Sequence, residues 1–266
     1  MIKILFFGDI VGKIGRKAIA KELPSLKKQY KPDLVIANAE NLAHGKGITK
    51  KTLTEMMEAG IDFFTSGNHI WANSEAEEIF NEKKLPIIRP ANYPPGVPGK
   101  GYEIISVGAY QILVANLMGQ TFFKEHFSSP FLVMEGILQE TKNESLAGVF
   151  VDLHAEATSE KNVFPRYLDG KISVMAGTHT HVQTADQQIL KNGTAMISDV
   201  GMVGKKDSSL GAETEGALKG MLTQMPFQFE IPNSGTCQIN AIFVIINPET
   251  GKAEKIERIQ TETEID

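Results

Sequence analysis

The chain has 266 residues, of which 42% are hydrophobic and 22% are charged. These values are ordinary for a soluble globular protein, and the length suits one large α/β domain or two small ones. The formal net charge of −5 argues against non-specific electrostatic binding of nucleic acid over a broad surface. Binding through a local basic patch is an open alternative.

Cysteine content and apolar runs bear on where the protein works. Cys237 is the single cysteine, so we interpret it as a small core residue and expect no intramolecular disulfide. The apolar run at the N-terminus is too short for a signal peptide, and Asp9 interrupts it. No run approaches the roughly 18 apolar residues that a membrane helix needs. We therefore expect a soluble, cytoplasmic protein without a membrane partner.

The first third of the chain alternates short apolar strands with amphipathic helices. The predicted elements, in chain order, are a strand over 2–7, a helix over 17–30, a strand over 34–37, a helix over 50–59, a strand over 61–65 and a helix from a cap at Asn73 or Ser74 to Phe80. Thr49 can cap the second helix, and Gly60 can end it. This alternation favours a parallel sheet with helices on its faces.

The rest of the chain is richer in antiparallel strands. Prolines and glycines predict an irregular loop over 86–101, which we place near the site rather than at a domain boundary. The elements predicted after it are a hairpin of 102–107 with 109–116, strands over 146–153 and 172–176, a helix from Glu156, and hairpins of 187–190 with 195–198 and of 239–247 with 252–260. Residues 261–266 are polar and are predicted to fray. We predict an α/β fold in one domain over residues 1–266, with a two-sheet β-sandwich flanked by helices (αββα).

Polar side chains interrupt or follow the apolar runs in six segments. These segments hold Asp9, Glu40 with Asn41, Asn68 with His69, Asp152 with His154, His179 with His181 and, as a weaker case, Asp199. Asp, Glu, Asn and His supply the oxygen and nitrogen atoms that divalent metals accept. Side chains at the carboxyl ends of parallel strands can converge on one edge of a sheet. The layout is typical of a two-metal hydrolase.

Each donor also has a simpler interpretation when it is taken alone. Asp9 can be a turn residue, Glu40 can be a helix cap or a solvated turn residue, and His154 can be a core histidine. His179 and His181 give the strongest local pattern, because two histidines two positions apart in an extended or looped segment point the same way. The case for a metal site therefore depends on the donors jointly.

The order of these motifs resembles the metallophosphoesterase (calcineurin-like) superfamily. Gly67-Asn68-His69 and Gly177-Thr178-His179-Thr180-His181 match its motifs closely, and His154 lies between them. Two features depart from its pattern, since Asp9 is not followed by the usual histidine and Glu40 stands where a bridging aspartate is usual. Both departures resemble the bacterial YmdB-type phosphodiesterases, as do residues 89–94 and 177–186.

The resemblance implies two metal ions and one proton donor. The implied ligands are Asp9, Glu40, Asn41 and His181 for one ion, Glu40, Asn68, His154 and His179 for the other, and His69 is the implied proton donor. Iron is the implied metal, and manganese or zinc also suits these imidazoles, amides and carboxylates. Asp152 or Asp199 can orient the histidines, although Asp199 is interpreted equally well as a turn residue.

The favoured function is a dinuclear metal-dependent phosphodiesterase. Its substrates would be cyclic nucleotides, of the 2',3'-cyclic or cAMP type, or related phosphodiesters, attacked by a metal-bridged hydroxide. The alternatives are a metal-containing nucleotide-binding regulatory protein with little turnover and an ordinary α/β protein with a structural metal. A proton donor at His69 favours the enzyme, as do seven donors for two ions, which leave open coordination positions. A nucleic-acid partner and a homo-oligomer stay open alternatives.

Overall fold

The computed structural model describes residues 1–82 and 84–266. Within them the helices are α1 (Gly12–Tyr30), α2 (Lys50–Ala59), α3 (Glu75–Glu82), α4 (Pro130–Glu140), α5 (Thr158–Tyr167) and α6 (Thr214–Thr223), with a short 3-10 helix over Ile70–Ala72. The strands are β1 (Ile2–Phe7), β2 (Asp9–Ile10), β3 (Leu34–Asn38), β4 (Phe63–Thr65), β5 (Tyr102–Val107), β6 (Tyr110–Met118), β7 (Leu146–His154), β8 (Val174–Thr178), β9 (Gln188–Ile189), β10 (Ala195–Ile197), β11 (Met202–Lys205), β12 (Gly235–Ile246) and β13 (Ala253–Ile265). None of these helices combines the length and apolar character that crossing a bilayer requires.

The strands of these residues form two sheets. The first has the order β2–β11–β12–β1–β3–β4, with β13 also paired to β12. The second has the order β5–β6–β7–β8–β10–β9. Strands β1, β3 and β4 run parallel to one another, as do β6, β7, β8 and β10. Each sheet therefore brings several carboxyl ends of parallel strands to one edge, which is where ligands bind in α/β proteins.

Apolar side chains fill the space between the sheets and beneath the helices. Phe6 of the first sheet packs edge-on against Phe150 of the second, with ring centroids 5.0 Å apart. Separate clusters join α1, α2 and α3 to the first sheet and α4 and α5 to the second. This layering confirms the predicted two-sheet sandwich flanked by helices. Cys237 is buried beneath the first group of helices, as predicted, and burial raises the pKa of its thiol to about 12.

Most predicted elements lie within a few residues of their predicted bounds. Helix α2 has the predicted ends, because the Thr49 hydroxyl accepts a backbone hydrogen bond in its first turn and Gly60 adopts a φ of 108°. Helix α1 begins five residues before the predicted position 17, so it includes a stretch with two glycines. At Gly15 a Cβ atom would lie 2.4 Å from the carbonyl oxygen of Val203, so glycine lets this helix approach β11.

The predicted fraying of residues 261–266 is wrong. Strand β13 continues to Ile265 and stays paired with β12 up to that residue. Thr263 and Ile265 are buried, whereas Glu262 and Glu264 between them are exposed. Polar residues on the exposed face of a half-buried strand therefore gave the segment the composition of a frayed end. The sequence pattern does not predict helices α4 and α6.

Candidate metal centre

The predicted donors lie where parallel strands of both sheets end. Asp9 follows β1, Glu40 and Asn41 follow β3, Asn68 and His69 follow β4, His154 ends β7, and His179 and His181 follow β8. We call these eight residues the candidate metal centre. Contacts among their side chains link donors from the first sheet to donors from the second, so the centre lies across the two sheets.

Three side chains converge on one nitrogen atom of a fourth. The Nε2 atom of His154 lies 3.0 Å from Asn68 Oδ1, 3.0 Å from His179 Nδ1 and 3.3 Å from Glu40 Oε2. Glu40, His154 and His179 each offer a ligand atom within 4.8 Å of the others. A Cβ atom at position 67 would lie 2.3 Å from Glu40 Oε2, so Gly67 is what lets the chain pass this close.

In His154 and His179, a hydrogen bond to one ring nitrogen determines that the other ring nitrogen faces the cluster. The Thr178 hydroxyl donates to Asp152 Oδ1 at 2.7 Å, so it accepts from Nδ1 of His154 at 2.8 Å. Nε2 of His179 donates to the Glu156 carboxylate at 3.1 Å. Burial and the charge of His154 lower the pKa of His179 to about 3, which keeps that imidazole neutral. When His154 loses its ring proton to bind a cation, its Nε2 and the Nδ1 of His179 both present lone pairs.

This arrangement fits a metal ion. When both rings are neutral, the four atoms that meet here, from Glu40, Asn68, His154 and His179, are all acceptors. Donor atoms bound to one ion at roughly 2.0–2.2 Å are spaced about 3 Å apart. The three distances from Nε2 of His154, of 3.0, 3.0 and 3.3 Å, agree with this spacing. Burial alone would lower the pKa of His154, but Glu40, Asp9 and Asp152 raise it to about 9. The surroundings thus favour an added positive charge at this point.

A second group of acceptors lies beside the first. Oδ1 of Asp9 and Oδ1 of Asn41 are buried and have no hydrogen-bond partner among the described residues. Burial raises the pKa of Asp9, while the charges of His181 and His154 act to lower it. Nδ1 of His181 donates to the carbonyl oxygen of Leu210 at 2.9 Å, which leaves Nε2 with the lone pair. Buried acceptors without a donor are rare, and a second cation would satisfy them.

His69 lies at the exposed side of Glu40. Its Nδ1 donates to Glu40 Oε1 at 3.0 Å, and its backbone N–H donates to Glu40 Oε2 at 2.9 Å. The side chain is 31% exposed, and Nε2 has no hydrogen-bond partner among the described residues. The ring is therefore held by one nitrogen and free to exchange a proton at the other.

A buried ion pair holds the loop between the last two histidines. His179 and His181 adopt φ values of 104° and 65°, a left-handed region that non-glycine residues seldom occupy. Thr180 between them donates to Asp199 Oδ2 through its backbone N–H at 3.0 Å and its hydroxyl at 2.8 Å. Lys161 Nζ lies 2.6 Å from the same oxygen, and both charged side chains are buried. Asp199 thus fixes the strained loop through Thr180, and its carboxylate has no hydrogen bond to either imidazole.

Replacing Lys161 by methionine is expected to weaken both the fold and metal binding. The change leaves the Asp199 carboxylate buried without its cation, which costs about 3–5 kcal/mol in the free energy of unfolding. A less firmly held His179–His181 loop should lower metal affinity about 10- to 100-fold. Urea unfolding and chelator competition measure the two effects.

The matched control for this variant is Lys171→Met. Lys171 is half-exposed and lies 3.6 Å from Glu135, so its loss should change stability by less than about 1 kcal/mol. Wild-type metal affinity in the Lys161→Met protein would contradict the proposed support of the loop by the buried ion pair.

Several supporting residues were not predicted from the sequence. Thr178 lies inside the histidine motif, where the sequence indicates no separate role for it, and the sequence around Glu156 indicates only the start of a helix. The position of Glu156 two residues after His154 was a signal that could have identified it. Lys161 lies in an amphipathic helix, where nothing in the sequence distinguishes a buried lysine from an exposed one.

Comparisons with known proteins place these features in a wider group. A model of the YmdB-like protein family matches residues 5–259. The chain is 42% identical to the 2',3'-cyclic-nucleotide 2'-phosphodiesterase of Bacillus subtilis (strain 168), over 97% of this chain and 96% of that protein. It superposes on the crystal structure of a hypothetical protein from Thermus thermophilus with a TM-score of 0.91 and 38% identity, covering 98% of this chain and 99% of that one. A novel phosphatase from Mycoplasma pneumoniae gives a TM-score of 0.92 and 35% identity, covering 100% and 94%.

Proposed function

The chain belongs to the YmdB-like family, and we propose from this premise that it hydrolyses 2',3'-cyclic nucleotides with the help of two metal ions. Its relatives are named for phosphodiesterase and phosphatase activity, and the chain is a phosphoric ester hydrolase. The observation that carries the metal part is the meeting of acceptor atoms from Glu40, Asn68 and His179 around Nε2 of His154.

The proposed ligand sets share one carboxylate. One ion would be held by Asp9, Glu40, Asn41 and His181, and the other by Glu40, Asn68, His154 and His179. When bound, the ions activate water and neutralise the negative charge that builds on the phosphoryl oxygens. Ligands without thiolate suit iron, manganese or zinc. Two carboxylates against two divalent ions leave an excess positive charge, which attracts a phosphodiester monoanion.

His69 is proposed to protonate the leaving oxygen. In the reaction the oxygen of water bonds to phosphorus and the water loses a proton to solvent, while the bond from phosphorus to the 2'-oxygen breaks and a proton moves from Nε2 of His69 to that oxygen. His69 then regains a proton from solvent. The product is a nucleoside 3'-monophosphate. The hydrogen bond from Nδ1 of His69 to Glu40 orients the ring.

Turnover of a defined substrate tests this function. Protein purified anaerobically and loaded with iron, manganese or zinc is expected to convert 2',3'-cAMP to adenosine 3'-monophosphate, which ³¹P NMR follows directly. Stripping the metal with a chelator should abolish the conversion, and adding metal back should restore it. Metal analysis of the same samples links activity to metal content.

One outcome would favour the regulatory alternative. Tight binding of nucleotide by the metal-loaded protein, without any product, would contradict the proposed enzyme and support a nucleotide-binding protein with little turnover.

A single domain over residues 1–266 and a cytoplasmic location are further parts of the proposal. Limited proteolysis, which should leave one core fragment, and fractionation of cells test these two points.

A further inference from the structure

A row of aromatic rings runs outward from the candidate metal centre. The ring of Phe123 lies 5.0 Å from that of His179 and 5.8 Å from that of Phe127. Tyr93 lies 4.9 Å from Phe127 and 6.2 Å from Trp71. We call Trp71, Tyr93, Phe123 and Phe127 the aromatic wall. Phe127 is buried and the other three are partly exposed, so part of the wall is accessible beside His179.

Hydrogen bonds hold the wall in place. The buried side chain of Asn92 donates to the carbonyl oxygens of Met118 at 2.8 Å and Ser128 at 2.9 Å, and it accepts from Met118 N at 2.8 Å. These bonds fasten the proline-rich segment that carries Tyr93 to the segment that carries Phe127. The rings are therefore fixed before a ligand arrives, which lowers the entropy cost of binding.

Phe122 directly precedes Phe123 of the wall in the chain, and its ring is almost unburied. It is 82% exposed, more than any other large hydrophobic side chain of the described residues. Its φ of 70° lies in the left-handed region, which is strained for a bulky residue. The backbone N–H groups of Gln120 and Thr121 both donate to the Glu160 carboxylate, which fixes the chain leading to Phe122. Folding gains little from a strained and exposed ring, so a role in binding accounts for it better.

We propose that Phe122, together with the accessible part of the aromatic wall, is the subsite for the nucleobase of the substrate. This inference rests on the proposed function, because the phosphate must be held at the metal centre for the base to reach the wall. In a 2',3'-cyclic nucleotide one ribose ring separates the phosphate from the base. Aromatic rings stack on every base, so the subsite would accept purines and pyrimidines.

Kinetics with two substrates, one with a nucleobase and one without, test the subsite. In metal-loaded protein, Phe122→Ala is expected to raise the KM for 2',3'-cAMP roughly 5- to 100-fold with little change in kcat. Methyl ribofuranoside 2',3'-cyclic phosphate, which has no base, should be hydrolysed equally well by both proteins. Phe122→Trp should restore the low KM. Leu132→Ala, which removes another exposed side chain, is the matched control and should change neither KM nor kcat for either substrate.

The single tryptophan gives a readout without turnover. Trp71 lies in the wall, so adenosine 3'-monophosphate should change its fluorescence in the wild-type protein at lower concentrations than in Phe122→Ala. The subsite would be overturned if the wild type had equal KM values for 2',3'-cAMP and methyl ribofuranoside 2',3'-cyclic phosphate. It would also be overturned if Phe122→Ala still preferred the compound with the nucleobase. Either result would leave the proposed hydrolysis standing. Hydrolysis of neither compound would overturn both.

Discussion

Replacing Glu40 by alanine is expected to remove bound metal and phosphodiesterase activity together. Glu40 is buried, and its oxygens lie 3.3 Å from His154 Nε2 and 3.0 Å from His69 Nδ1. Alanine would remove the one carboxylate that the two proposed ligand sets share. Metal content should fall from about two ions per chain towards zero, and conversion of 2',3'-cAMP should fall to the uncatalysed rate. Plasma mass spectrometry and ³¹P NMR on the same sample measure both.

The control for this prediction is a glutamate on the surface. Glu103 pairs with Lys100 at 2.7 Å, and Glu103→Ala should keep both metal and activity. Asn68→Ala should lose the ion beside His154, because Asn68 Oδ1 lies 3.0 Å from Nε2 of that ring. Wild-type metal content in a folded Glu40→Ala protein, checked by circular dichroism, would show that this cluster is not the metal centre.

The positions of the donors could be predicted because each follows a short apolar strand. Strands β3 and β7 are nearly continuous apolar runs, so the pattern identifies both the strand and the polar residue at its end. The alternation with amphipathic helices then predicts parallel strands, whose carboxyl ends meet. This reasoning reaches only donors of one sheet; that Glu40 and His154 lie near each other across the two sheets is implied by the family resemblance alone.

The partners of the donors could not be predicted, because they depend on strand register and helix packing. Thr178 reaches His154 because β7 and β8 pair with these two residues opposite each other. A shift of the register by one residue would turn Thr178 to the other face, and the sequence does not fix that choice. Lys161 meets Asp199 only because α5 packs where that carboxylate is buried.

Replacing His69 by alanine is expected to lower kcat for 2',3'-cAMP by about 10²- to 10⁴-fold while metal content stays unchanged. The 2'-oxygen is a poor leaving group and needs a proton as its bond to phosphorus breaks. The backbone N–H at position 69 donates to Glu40 Oε2 at 2.9 Å, and alanine keeps that bond, so Glu40 stays in place. Steady-state kinetics and metal analysis provide the measurement.

A change of leaving group separates proton donation from support of Glu40. A p-nitrophenyl diester releases an anion that needs no proton, so His69→Ala should slow its hydrolysis far less than that of 2',3'-cAMP. Equal losses on both substrates would instead assign the effect to the lost hydrogen bond from Nδ1 to Glu40. His69→Gln keeps a hydrogen-bond donor without a titratable proton, so it should restore activity only in that second case. His126→Ala, at an exposed histidine, is the matched control and should leave both substrates unaffected.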